Sequence, residues 1–219
     1  MYRVKVQVRR AKQVLQTEGL IPLLRQGFAF LAASFLQCGT YYLYEHTVKE
    51  RNEADFMPKI QNFTFKTVST NQQADELVAG GFELGSQITM MRRRLDRGAI
   101  AFCIFIEREL AHIGWVALTE EAKELVDAFP YKVDFSNGEA CTGGTWTDPK
   151  YRGTGLMVYG YFKRFQFLKE RGKLISRNVV ATSNVASQRG HAYFGPKICG
   201  EARYLKLLWW KFWREKPLP

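Results

Sequence analysis

Twelve residues near the middle of the chain, Thr145-Trp146-Thr147-Asp148-Pro149-Lys150-Tyr151-Arg152-Gly153-Thr154-Gly155-Leu156, constrain the fold more than any other stretch. They read as the end of a strand, a Pro-marked turn, a glycine loop and the start of a long helix. The run Glu139–Thr147 is rich in β-formers and small residues. From Leu156 onward Tyr159, Phe162, Phe165 and Leu168 recur at helical spacing, and Gly172 supplies a stop. A strand–loop–helix unit of this kind leaves amides unpaired at the helix start. Those donors, with the positive end of the helix dipole, suit a pyrophosphate. Arg152 adds a charge that does not titrate. The alternative is that Gly153 and Gly155 only shape a tight turn. A Walker loop is excluded because no Gly-Lys-Ser/Thr follows. A dinucleotide fingerprint is disfavoured because the arginine precedes the glycines and a third glycine is missing.

The 219 residues suffice for one substantial core with an extension, and 46% hydrophobic residues exclude a disordered chain. No run of eighteen apolar residues exists, so no membrane span is expected. The basic N-terminus lacks the order of a signal peptide. Cys38, Cys103, Cys141 and Cys199 are widely spaced and read as buried free thiols of a reducing compartment, which points to the cytoplasm. His46, His112 and His191 have no metal-ligand spacing, so no metal is expected. The net charge of +11 lies at the two ends. Met1–Phe30 has six Lys/Arg against Glu18, and Lys197–Pro219 has six against Glu201 and Glu215, which leaves Leu31–Pro196 at only +2. Basic ends favour an anionic partner: headgroups, nucleic acid or a polyphosphate.

Residues 1–61 read as a basic helical extension and linker, and 62–219 as the main domain. Val4–Thr17 carries an apolar stripe and Leu20–Gln37 forms a second helix. Gly39–Val48 reads as a strand and Arg51–Asn62 as the linker. The main domain then runs strand (Phe63–Val68), helix (Asn71–Ala79, with Thr70 or Asn71 as N-cap), helix (Ser86–Leu95) and two strands joined by a polar turn (Ala99–Glu107, Leu110–Leu118). A helix at Thr119–Ala128 precedes the Glu139–Thr147 strand and the Leu156–Arg171 helix. A strand at Leu174–Thr182, a short helix at Val185–Tyr193 and a terminal strand region at Lys197–Glu215 complete it.

The glycine loop resembles the acetyl-CoA loop of the GNAT superfamily of N-acetyltransferases, commonly Arg/Gln-x-x-Gly-x-Gly/Ala after an acidic-Pro turn. Arg152 and Gly155 match, as does Asp148-Pro149, while Met157 stands where Gly or Ala is usual. The element order from Asn62 onward is also similar to that family. So is Ser183-Asn184-Val185-Ala186-Ser187, which opens a helix after an apolar strand that Gly195 closes. Taken alone, Asn184 is equally read as a helix cap. The resemblance implies an α/β (α+β) fold, a mixed and splayed β-sheet flanked by helices, with the N-terminal helical extension in front.

It implies as well a CoA-dependent transfer of an acyl group to a primary amine without a covalent enzyme intermediate. The co-substrate is acetyl-CoA or another acyl-CoA. Its expected contacts are Thr145, Trp146, Thr147, Arg152, Gly153, Thr154, Gly155, Leu156, Met157, Asn184 and Ser187. A backbone amide near Gly144–Trp146 polarises the thioester carbonyl, and Gly143-Gly144 permits the strands to part. The family's proton-donating Tyr falls at His191 by count from Asn184, with Tyr193 the fallback. Glu107, Glu109 and Glu139 are the candidate bases, Glu139 first because of its central strand.

The expected acceptor is a small amine, an amino acid or amino sugar. The aromatic, basic run Tyr204–Arg214 reads either as a core strand or as an interfacial surface. The rival reading is thus a non-catalytic protein of this fold that docks on anionic membranes through its ends, peripheral at the inner membrane face. Nucleic acid is not an expected partner, because no base-reading module is recognisable.

Overall fold

A computed structural model describes residues 36–207 and 209–218. Of these, 41–202 with 215–218 form a larger compact unit, and 36–40 with 203–214 a smaller one. The expected helix Val4–Thr17, and all of Leu20–Gln37 but its last two residues, lie outside the described residues. Leu36 and Gln37 are strand.

Among the described residues eight strands form one sheet in the order β2-β3-β4-β5-β6-β1-β7-β8. In chain order these are β1 (Leu36–Thr47), β2 (Phe63–Val68), β3 (Ile100–Ile106), β4 (Glu109–Ala117), β5 (Glu139–Thr147), β6 (Ile175–Ala181), β7 (Lys197–Leu207) and β8 (Trp210–Pro217). Five described helices connect them: α1 (Asn71–Ala79), α2 (Ile88–Leu95), α3 (Glu120–Val126), α4 (Leu156–Glu170) and α5 (Val185–Ala192). This is the mixed α/β architecture that the sequence implies.

Local chemistry explains the element boundaries. The Gln73 amide donates to Thr70 Oγ1 at 3.2 Å to start α1, and the Ala122 amide donates to Thr119 Oγ1 at 3.3 Å to start α3. The β3–β4 turn holds Glu107 and Arg108 at φ 49° and 72°, the left-handed pair that matches strand twist in a two-residue hairpin. β3 and β4 are buried on both faces. That burial accounts for the unbroken apolar run Ile100–Ile106, where a one-sided strand would alternate.

The core stripe expected on α4 is the one observed. Tyr159, Phe162, Phe165 and Leu168 are buried against Phe102, Ile104, Val116 and Ala140 of the sheet. The Arg51–Asn62 segment is packed structure and not a linker. Phe56 is buried, with its ring 5.2 Å from Phe162 and 5.1 Å from Phe194. Lys163 pairs with Glu53 at 2.8 Å and Tyr159 Oη donates to the same carboxylate. β1 takes a place in the sheet beside β6, with Tyr41–Thr47 paired antiparallel to Ile175–Ala181.

Two further expectations need correction. The terminal strand region is two strands, separated by a turn at Trp209 that carries no Gly, Pro, Asn or Asp signal. All four cysteines are free, but only Cys103 and Cys141 are buried; Cys38 is exposed and Cys199 half-buried.

Candidate functional site

The site begins where β5 and β6 separate. They run parallel and pair only at Glu139↔Ile175, Ala140↔Ser176 and Cys141↔Arg177. On its other side β5 pairs with β4, but the register slips. Ile113 faces Trp146 and Trp115 faces Gly143, so Gly144 and Thr145 together oppose Gly114. This is a β-bulge, with Gly144 at φ 56° as its left-handed residue. The bulge turns β5 away from β6, and a cleft of about 630 Å³ opens past it.

The cleft ends on the glycine loop. The Lys150 amide donates to Asp148 Oδ1 at 2.9 Å, which shapes the Asp148-Pro149 turn. Arg152 Nε donates to the Thr147 carbonyl at 3.3 Å, so the exposed guanidinium is anchored at the strand's end. Gly155 caps α4 at φ 92° with no side-chain hydrogen bond. The first amides of α4, Leu156 to Val158, therefore keep their donors free of intrahelical partners. The Lys59 amide donates to the Thr154 carbonyl at 2.9 Å and braces the loop from behind. A side chain at Gly155 would stand 3.3 Å from Pro58 Cα, so this glycine also has a packing reason.

Of the expected cofactor contacts, Thr145, Trp146, Thr147, Arg152, Gly153, Gly155, Leu156, Met157, Asn184 and Ser187 line this one cleft. Thr154 is not in its wall; its hydroxyl donates to the Tyr151 carbonyl at 2.6 Å. Asn184 is also a helix cap, because Oδ1 accepts from the Ser187 amide at 3.1 Å. Met157 packs toward α5, where a Cβ on Gly190 would lie 3.1 Å from its methyl carbon. The bulk at 157 is thereby absorbed between two helices.

The expected proton-transfer residues separate. Tyr193 lines the cleft and is 65% exposed. His191 is fully buried behind the sheet, not in the cleft wall. Its Nδ1 is 3.0 Å from His46 Nε2 and its Nε2 is 3.2 Å from Asn178 Nδ2. Burial holds both imidazoles neutral, with His46 pushed down to about 3 and His191 well below the usual range. The helical count that brought His191 to the family's Tyr position is met by a ring turned into the core.

Glu139 stands at the opposite end of β5 from the cleft, six residues before Thr145 and so about 20 Å away. It accepts from Arg177 Nε at 2.7 Å and from the Asp134 amide at 2.8 Å, and Arg177 holds its carboxyl below the ordinary carboxylate range. It is a structural ion pair, not a group facing the cleft. Glu107 lies in the hairpin turn, and Glu109 pairs with Lys150.

Side chains that sequence reading passed over surround the bulge. Arg164 of α4 is fully buried beneath it. Nε donates to the Gly160 carbonyl at 3.0 Å, Nη1 donates to Thr145 Oγ1 at 3.2 Å, and the guanidinium lies 3.6 Å from the Tyr161 ring centre. On the other face Arg94 of α2 donates from Nε to the Leu125 carbonyl at 2.8 Å and covers Trp115. A Cβ on Gly144 would fall 2.6 Å from Arg94 Nη1, and one on Gly114 2.6 Å from Arg164 Cζ. No ion pair neutralises either guanidinium among the described residues. Arg164 had a sequence signal: it sits three residues after Tyr161 and four before Leu168, a charge on the apolar stripe. Arg94 lay hidden in the basic run Arg92-Arg93-Arg94.

No protein-family model matches the sequence, and no curated protein does. Solved structures do match its fold. The chain is similar to the GCN5-related glucosamine N-acetyltransferase region of a fungal multi-domain GH3 β-N-acetylglucosaminidase, at 12% identity and a TM-score of 0.53, over 86% of this chain and 23% of that one. It is also similar to a GNAT-family acetyltransferase from Colwellia psychrerythraea (14% identity, TM-score 0.49, 83% of this chain and 61% of that one). A tandem GNAT protein from the clavulanic acid biosynthesis pathway gives 16% identity and a TM-score of 0.49, over 88% of this chain and 60% of that one. The chain thus spans about three-fifths of the length of these last two. The first of these likenesses shows the fold: the chain has the fold of the GCN5-related N-acetyltransferases.

Proposed function

We propose that the protein is a CoA-dependent N-acyltransferase that moves an acyl group from acyl-CoA to a primary amine by direct attack. The observation that carries this reading is the cleft that the end of β5, the glycine loop and α5 enclose, which ends on a helix N-terminus without a side-chain cap and with Arg152 beside it. The donor set fits a diphosphate: free amides, a helix dipole and a guanidinium converge there. Acyl-CoA supplies an activated carbonyl carbon. The amides of β5 beyond Cys141 have no β6 partner and offer hydrogen bonds where charge develops on the carbonyl oxygen. Tyr193, in the cleft wall, provides the proton for the departing thiolate. The acceptor is a small amine, an amino acid or an amino sugar.

Calorimetric titration with acetyl-CoA tests the reading. Saturable binding is expected within the range of roughly 1 μM to 1 mM that is usual for enzyme substrates. Absence of heat at millimolar ligand rejects it.

One observation favours a second attachment, whether or not the protein is catalytic. In the smaller unit Trp209, Trp210 and Phe212 are 77%, 72% and 58% exposed. Arg203, Lys206, Lys211 and Arg214 lie among them, with no acidic residue from 203 to 214. Aromatic rings at headgroup depth with cations beside them suit an anionic bilayer surface, each cation contributing about 1 kcal/mol. None of the described helices is long and apolar enough to cross a membrane. Co-sedimentation with phosphatidylserine vesicles, lost with phosphatidylcholine alone and weakened in W209A/W210A, is the expected result. Equal retention on both vesicle types removes this reading.

A further inference from the structure

The vertex at which β5 and β6 part is occupied by a carboxylate. After Cys141↔Arg177, a continuous ladder would go on to Thr142 with Asn178 and Gly143 with Val179, and both pairs are missing. Asp127, just past the end of α3, stands there. A Cβ on Gly143 would lie 3.4 Å from Asp127 Cβ, and the Val179 amide donates to the Asp127 carboxylate. Asp127 thus lies against both strands just past their last pair. Gly143, beside it, is two residues along β5 from Thr145, which lines the cleft, so about 7 Å further into the splay.

The carboxylate is held from several sides. Tyr131 Oη donates to Oδ2 at 3.0 Å, and the Phe129 amide donates to Oδ1 at 3.4 Å. Tyr131 Oη also touches Cys141 Sγ at 3.3 Å. The charged groups around it are Arg94 of α2, bonded to Leu125 two residues before Asp127, and Lys123 of α3, whose Nζ donates to the Phe129 carbonyl at 3.0 Å. Neither forms an ion pair with Asp127 among the described residues, so the carboxylate keeps its capacity to accept a proton. The other acids considered for this task are exposed, or ion-paired away from the cleft.

We propose that Asp127 is the general base of the acyl transfer, standing at the vertex of the splay and accepting the proton that the acceptor ammonium must lose. The proposal rests on the acyltransferase reading above. One ammonium proton passes to the carboxylate, and the freed nitrogen pair attacks the thioester carbonyl carbon. As the tetrahedral adduct collapses, the C–S bond breaks and the sulfur leaves with that electron pair. Tyr193 gives its proton to the thiolate, and the second proton that nitrogen sheds restores the Tyr193 phenol. The net products are amide, thiol and one proton carried by Asp127 and then released. Burial pushes the Asp127 carboxyl up to about 6, near the value that suits a base at neutral pH.

The test is thiol release from acetyl-CoA with a panel of amines from pH 5 to 9, on the parent, Asp127→Asn and Tyr131→Phe. In the parent, kcat/KM falls tenfold per unit below about pH 6, where the carboxylate takes its proton. In Asp127→Asn, kcat drops by roughly a hundredfold or more and that acid limb disappears. Its acetyl-CoA affinity by calorimetry stays within about twofold of the parent, because the splay lies beyond the phosphate site. Tyr131→Phe removes a hydrogen bond that favours the ionised carboxylate, so the limb moves to higher pH. This shift is not expected of a purely structural aspartate and does not depend on Asp127→Asn folding. Asp127→Asn with parental kcat, or a limb unmoved in Tyr131→Phe, overturns the base while leaving the acyltransferase reading intact. A parent that fails to bind acetyl-CoA overturns both.

Discussion

Gly155→Asp should bind acetyl-CoA at least about a hundredfold more weakly than Gly155→Asn. The two variants share every steric consequence. Both place a side chain at φ 92°, where Asn and Asp are the best tolerated residues after glycine, and both meet Pro58 at the same 3.3 Å. Only the charge differs. A carboxylate about 5 Å from a phosphate at an effective dielectric near 20 is disfavoured by roughly 3 kcal/mol, which is the hundredfold expected. Calorimetry on both proteins reads the difference directly. Equal affinities would mean that no anion rests on the N-terminus of α4, and the glycine loop would be only a turn.

The second large effect concerns stability. Gly114→Ala should cost about 3 kcal/mol, because its methyl falls 2.6 Å from Cζ of Arg164 and under 3 Å from both Nη atoms. The guanidinium has nowhere to go: it is fully buried, tied to Gly160 and Thr145 and stacked on Tyr161. Arg164→Met alone should be neutral or stabilising, since it removes a buried charge that no carboxylate offsets. The double variant should recover most of the loss in urea denaturation. A Gly114→Ala protein with the parent's midpoint, or no recovery in the double variant, would place the guanidinium elsewhere.

Much of this molecule is legible from local rules. Thr70 and Thr119 announce helix starts, and the period of Tyr159, Phe162, Phe165 and Leu168 announces the face that α4 buries. Asp148-Pro149 and the glycines after Arg152 announce the loop between β5 and α4. Nearly all the residues expected around a pyrophosphate converge on one cleft because they belong to contiguous segments. A strand end, a loop and the first turn of a helix are bound to stay together. The separate helix at Asn184 arrives there because its cap lies just past the end of β6, the strand that parts from β5.

The acid–base groups were not legible in this way. His191 and Tyr193 are two residues apart at the end of a short helix, and periodicity does not say which faces water. The aromatic cluster of His46, Phe165 and Phe194 draws the imidazole inward and leaves the phenol in the cleft wall. Glu139 has the right strand and the wrong end of it. Asp127 reads as an ordinary residue in the last turn of the expected Thr119–Ala128 helix until the structure ends that helix at Val126 and sets the carboxylate beside Gly143.

What the sequence by itself determined is whatever depends on neighbours within a few turns of chain: caps, the core stripe, the strand–glycine loop–helix corner and the uneven charge of the two ends. Only tertiary structure decided where β1 pairs, which face of the bulge each buried arginine occupies and which carboxylate stands in the splay. Those depend on contacts between residues far apart in sequence. There a one-residue slip, such as the bulge at Gly144, changes which side chain faces the cleft without leaving a mark on any local pattern.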